Sequence, residues 1–69
     1  MTLYDVIHRK GMTVEEVAYA MNVSMSALSL WNSGDRLPSL FTFARLCVVL
    51  DVKADDLLII FMNNLKEGR

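Results

Sequence analysis

Residues 13–34 read TVEEVAYAMNVSMSALSLWNSG, and the order of caps and breakers in this stretch decides the fold. Thr13 with Glu16 three residues later has the spacing of a capping box, and Met12 and Val17 occupy the hydrophobic-staple positions around it. Val14, Val17, Ala18 and Met21 then follow i, i+3, i+4, i+7, which predicts a helix of barely two turns. Asn22 ends it, because asparagine tolerates the left-handed backbone of a helix stop. Only Val23 separates that stop from a second cap, Ser24. Val23 and Leu28 repeat the staple, and Leu28 and Trp31 face inward until Gly34. Two short helices joined by so tight a turn cannot run antiparallel. They must cross steeply, as in a helix-turn-helix.

Outward from this pair the same logic holds. Thr2 caps a first helix with Leu3, Val6 and Ile7 inward, ending at Gly11. Ser39, after Pro38, caps a fourth helix with Leu40, Phe43, Leu46, Cys47 and Leu50 inward. Asp55 and Asp56 lie in the first turn of a fifth helix over about residues 54–66, where carboxylates complement the helix dipole. Leu57, Leu58, Phe61 and Leu65 make one stripe on it, with Ile59, Ile60 and Met62 off that stripe. A surface helix needs one apolar face, so Ile59, Ile60 and Met62 are expected to form an association surface. The remaining breaker is Gly68. No strand candidate, repeat or linker interrupts the series. The expectation is an all-α chain of five helices.

Composition bounds the rest. Sixty-nine residues, 54% of them apolar and 22% charged, fit one domain over residues 1–69 and exclude intrinsic disorder. A chain this short buries only roughly 60% of the surface that its unfolded form exposes, so a partner would help it. The net charge of −1 argues against a strongly basic nucleic-acid binder, though not against a weak or dimeric one. Cys47 is the only cysteine, so no internal disulfide or thiolate metal cage forms, and a reducing cytoplasm fits. The longest apolar run, Leu57–Met62, is far short of the ~18–20 residues of a membrane span. Residues 1–20 carry Asp5, Arg9, Lys10, Glu15 and Glu16 and have no signal-peptide pattern. A cytoplasmic protein with no membrane partner is expected.

The run TVEEVAYAMNVSMSALSLWNSGDRLPSL, continued by ARLCVVLDVKADDL, resembles the Xre/Cro class of helix-turn-helix domains, the lambda-repressor-like fold of small phage and bacterial regulators. The resemblance covers a core of residues 12–58. Thr13, Glu16, Ala18, Val23, Ser24, Leu28, Ser29, Trp31, Gly34, Pro38, Leu46, Leu50, Val52 and Leu57 carry the family's typical residue types. It implies that the third helix, headed by Ser24, enters the major groove. Base reading then falls to Met25, Ser26, Ser29 and Leu30. Val14 takes a position where the family often has a glutamine near the DNA backbone, and Thr13, Ser33, Arg36 and Ser39 lie on the phosphate side.

Several residues depart from that pattern. Major-groove readout relies on Arg, Lys, Gln and Asn forks, whereas here two reading positions are apolar and two carry short hydroxyls. Asn32 replaces the glutamate that usually follows the tryptophan, and Asn22 the usual turn glycine. Residues 13–38 hold Glu15, Glu16 and Asp35 against Arg36, a local net of −2. Arg9, Lys10 and Arg45 are the cations able to flank this surface. Elsewhere the residues have plainer explanations. Trp31 is spaced from Leu28 as a core residue, and Cys47 stands where the family has a small core alanine. His8 has no second ligand at metal spacing. Glu15–Glu16 and Asp55–Asp56 both fall in first helical turns. No nucleophile–base pair, phosphate loop or metal cluster points to an enzyme or a cofactor.

Two mechanisms remain open. In one, a homodimer binds operator DNA through the third helix of each subunit and represses. In the other, the chain is an antirepressor that docks the apolar, acidic helix-turn-helix face, centred on Val14, Met25 and Leu30, onto another helix-turn-helix repressor as a heterodimer.

Overall fold

A computed structural model describes residues 1–65 of the chain. Five helices follow in order: α1 (Leu3–Arg9), α2 (Val14–Met21), α3 (Met25–Ser33), α4 (Leu40–Leu50) and α5 (Ala54–Asn64). No strand occurs among the described residues. The expected caps begin the first four helices. Thr2 and Thr13 form capping boxes with Asp5 and Glu16, while Ser24 and Ser39 accept the Ala27 and Thr42 N–H groups. α5 starts at Lys53 with no side-chain cap, so its start depends on the Asp55–Asp56 dipole match and on burial.

The first four helices also share one kind of ending. Gly11, Asn22, Gly34 and Asp51 each take a left-handed conformation, with φ between 53° and 82°. At each, the next residue donates its N–H five residues back: Met12 to Ile7 O, Val23 to Ala18 O, Asp35 to Leu30 O and Val52 to Cys47 O. These are Schellman motifs, which satisfy carbonyls that a helix end would otherwise leave bare.

Leu3, Ile7, Val17, Met21, Leu28, Leu46, Leu50 and Leu57 are the largest fully buried side chains, so every helix contributes to one core. Burial of each such side chain is worth about 1.5–3 kcal/mol. Trp31 and Phe61 close that core, and Cys47 lies in it as a packed thiol whose pKa burial pushes up. α2 packs against α1, α3 and α4, and α3 against α1 and α5. The helix-turn-helix is thereby clamped from behind by α1, α4 and α5.

The structure corrects two sequence expectations. Leu40 is 84% exposed rather than inward. It is the first residue of α4 and lies on the flank of the Phe43–Leu46–Cys47–Leu50 arc, where no other element covers it. On α5 the core arc is Leu57, Ile60 and Phe61, with Asn64 half-buried, while Leu58 and Leu65 are exposed. Ile60 thus belongs to the core side and not to the expected association surface. Asn64 helps fix this rotation, because its side-chain amide donates to Met1 O at 2.8 Å and to Ile60 O at 2.7 Å. The exposed apolar face of α5 is Leu58, Ile59, Met62 and Leu65. Of the helix expected over 54–66, residue 66 lies outside the described residues, as does Gly68.

Candidate nucleic-acid interface

Three helix N-termini define the candidate surface. At α2, Thr13 Oγ1 accepts the Glu16 N–H at 3.0 Å, and Glu16 Oε1 accepts the Thr13 N–H at 2.7 Å. At α3, Ser24 Oγ accepts the Ala27 N–H at 3.0 Å. At α4, Ser39 Oγ accepts the Thr42 N–H at 3.3 Å and lies 2.9 Å from Thr42 Oγ1. These caps satisfy the third N–H of each helix. The first two in each have no acceptor in the helical register, and such groups favour anions. Thr13, Ser24 and Ser39 thus shape these helix ends, each hydroxyl oxygen accepting a backbone N–H.

Along α3, Met25, Ser26, Ser29 and Leu30 fall within one arc opposite the buried Leu28 and Trp31, and all four are exposed. Met25 is 45% exposed and Leu30 36%. The structure thus brings the four expected reading positions together on one edge. Val14, the first residue of α2, is half-buried against the core and offers less apolar surface than the sequence suggested. Ser33 is held internally: its hydroxyl lies 2.8 Å from Asp35 Oδ2 and 3.1 Å from Leu30 O. Arg36 is exposed in the α3–α4 loop.

The flanking cations are less available than their number suggests. Lys10 Nζ donates to Asp51 O at 2.9 Å, where an ammonium meets the negative end of α4. Arg9 NH1 lies 3.7 Å from Met1 Sδ. Arg45 is exposed on the outer side of α4.

Two side chains on or behind this surface were not anticipated. Tyr19 is 92% exposed on the outer side of α2, one turn beyond Glu15. The only sequence signal for it is its angle, opposite the Val14–Val17–Ala18–Met21 arc. Asn32 Oδ1 accepts the Tyr4 N–H at 2.8 Å, which ties the end of α3 to the start of α1. No local pattern announces a bond across 28 residues.

Residues 7–57 match the family model described as helix-turn-helix. That span takes in the end of α1, all of α2, α3 and α4, and the first turn of α5. No curated protein and no solved structure matches the chain. Among the described residues, no helix is long and apolar enough to cross a membrane.

Proposed function

The chain belongs to the Xre/lambda-repressor-like helix-turn-helix family, a family of DNA-binding regulators and not of enzymes, and from that premise we propose that it acts as a small transcriptional regulator of a phage or bacterial genetic switch. In this reading residues 1–69 are one domain, and a homodimer binds operator DNA with α3 of each subunit in the major groove. The observation that carries it is the α3 edge, where Met25, Ser26, Ser29 and Leu30 are exposed together beneath the Ser24 cap. Met25 and Leu30 suit thymine methyl groups, and the serines can donate to or accept from base edges. Each copy carries a single α3, so two half-sites ~34 Å apart call for two copies.

The charge inventory sets the expected behaviour. Arg36 is the exposed cation within the helix-turn-helix stretch, and Arg45 is exposed on α4. About four phosphate contacts per dimer give a log–log salt slope of about −3.6, shallow for an operator binder. The test is a mobility shift or anisotropy titration with the DNA upstream of the chain's own operon, repeated across salt. Sequence-specific binding with such a slope supports the reading, and no binding at low salt rejects it.

A second reading is favoured by the same edge. Met25 and Leu30 are apolar, and Glu15 is exposed on α2. An antirepressor would lay this face on the basic DNA-binding surface of another helix-turn-helix repressor, steered by its carboxylates. Leu30→Gln separates the two. It adds a polar base reader, so a DNA binder keeps or gains affinity. A protein binder loses roughly 1–3 kcal/mol as an apolar contact becomes a buried amide.

A further inference from the structure

A cleft of ≈ 400 Å³ opens between the end of α1, the α4–α5 turn and the first turns of α5. Its floor is apolar and reaches the core: Leu57 and Val6 are buried, while Val52 and Ile60 are half-buried. Charge is confined to Arg9, Lys10 and Asp56, all three exposed at the rim. We propose that this cleft binds a small organic monocarboxylate, its apolar body on the floor and its carboxylate on Arg9 and Lys10. The proposal stands apart from both regulatory readings, which place their partner on the α3 edge.

The first observation behind it is that the cations are oriented but not neutralised. Lys10 Nζ is held by its bond to Asp51 O at 2.9 Å, and that bond occupies one of the ammonium's N–H groups. Arg9 Nη1 lies 3.7 Å from Met1 Sδ, and a thioether is a weak acceptor that leaves the guanidinium charge uncompensated. Among the described residues neither cation meets a carboxylate at ion-pair distance. A guanidinium fork matches the two oxygens of a carboxylate, so Arg9 favours that group over other anions of the same charge.

The second observation is the balance of charge. Arg9 and Lys10 against Asp56 leave the rim net positive, which suits one negative charge on the ligand. Asp56 would repel a second. The third is the pairing of floor and rim. Small-molecule sites of ~300–1,000 Å³ are mostly apolar, with a few polar groups that fix the ligand's orientation. An inorganic anion would leave Val6, Leu57 and Ile60 unused, and a neutral apolar molecule would leave the cations unused. A molecule carrying both features uses the whole cleft. It would also tie α1 to α5, two of the helices against which α3 packs.

The experiment is a heteronuclear NMR titration of the full chain at constant ionic strength. The probes are hydrocinnamate, its neutral amide hydrocinnamamide, and inorganic phosphate. Hydrocinnamate is expected to give saturable shifts centred on Val6, Arg9, Val52 and Ile60, with a Kd of ~1 mM or tighter. The amide and phosphate should bind at least ~10-fold more weakly. Arg9→Gln should bring hydrocinnamate down to the level of the amide. Asp56→Asn should act in the opposite direction and tighten binding ~2–5-fold, because it removes the negative charge from the rim. Both residues are exposed, so both variants should keep the dispersed spectrum of the folded chain. If one loses it, the other decides. No saturable shift by ~10 mM overturns the proposal, and so do shifts centred on Phe43 and Phe61 instead. Amide or phosphate binding as tightly as the carboxylate overturns it too, as does a folded variant of either kind that binds like wild type.

Discussion

Asn32 shows how much one side chain can decide. It stands where the family usually has a glutamate, yet its amide oxygen accepts the Tyr4 N–H, one of the first-turn donors that α1 cannot satisfy itself. Asn32→Ala should therefore cost about 0.5–1.5 kcal/mol in urea unfolding. Asn32→Asp, which keeps an acceptor in place, should recover most of that loss. Asp5 anchors the same helix start from the other side. Its carboxylate accepts the Thr2 N–H at 2.9 Å, and that backbone bond holds its pKa below the usual aspartate value. A lowered folded-state pKa means a contribution that is complete above the unfolded pKa and is lost as pH falls through the folded one. The thermal-midpoint gap between wild type and Asp5→Asn should then be constant above about pH 5 and close as the pH drops below the ordinary aspartate value of about 3.9. A gap that persists at pH 2 would remove the capping-box account of Asp5.

At the level of helices, the four left-handed ends explain what the sequence disclosed and what it did not. Gly11, Asn22 and Gly34 are residue types that advertise a positive φ, and all three are legible as stops. Asp51, at φ 53°, reads locally as an ordinary polar residue between Leu50 and Val52. Its stop is supported from a distance by Lys10 Nζ on its carbonyl. Since that bond goes to the backbone, Asp51→Gly should preserve it and leave stability unchanged or higher. Asp51→Val should lose about 1–2 kcal/mol, because a β-branched side chain resists the left-handed region. Guanidinium unfolding of both variants checks the pair, and equal stability would show that backbone conformation is not what matters there. The rotation of α5 was hidden for another reason. Leu57 and Phe61 belong equally to an arc through Leu58 and Leu65 and to one through Ile60 and Asn64, and periodicity alone cannot choose between them. The Asn64 bond to Met1 O accompanies the second choice, and Ile60 turns inward with it. In the candidate interface, the α3 edge followed directly from the Ser24 cap and the inward Leu28 and Trp31. The internal bonding of Ser33 to Asp35 could not be read, because nothing in the residue types separates a free hydroxyl from an engaged one.

For the whole molecule, the question is how a 69-residue chain stays folded while much of the apolar surface of α4 and α5 faces water. Domains of this size are marginal because so little of their surface is buried on folding. Self-association removes apolar area from water without adding residues whose entropy must be lost. It also couples folding to concentration, since a partner that binds only the folded chain stabilises it by mass action. For a folded dimer that unfolds to two free chains, a tenfold rise in concentration is worth ~1.4 kcal/mol per dimer, or ~0.7 per chain. With the unfolding entropy typical of a domain this long, the thermal midpoint should rise about 3–5 °C for each tenfold increase in protein concentration. Leu40→Glu should abolish that dependence and lower the midpoint most at high concentration, where wild type gains most from its partner. Differential scanning calorimetry over a hundredfold concentration range reads both effects in one series. A wild-type midpoint that does not move across that range would mean that self-association contributes nothing to the folded state. The core of Leu3, Ile7, Leu28, Leu46 and Leu57 would then have to hold the fold by itself.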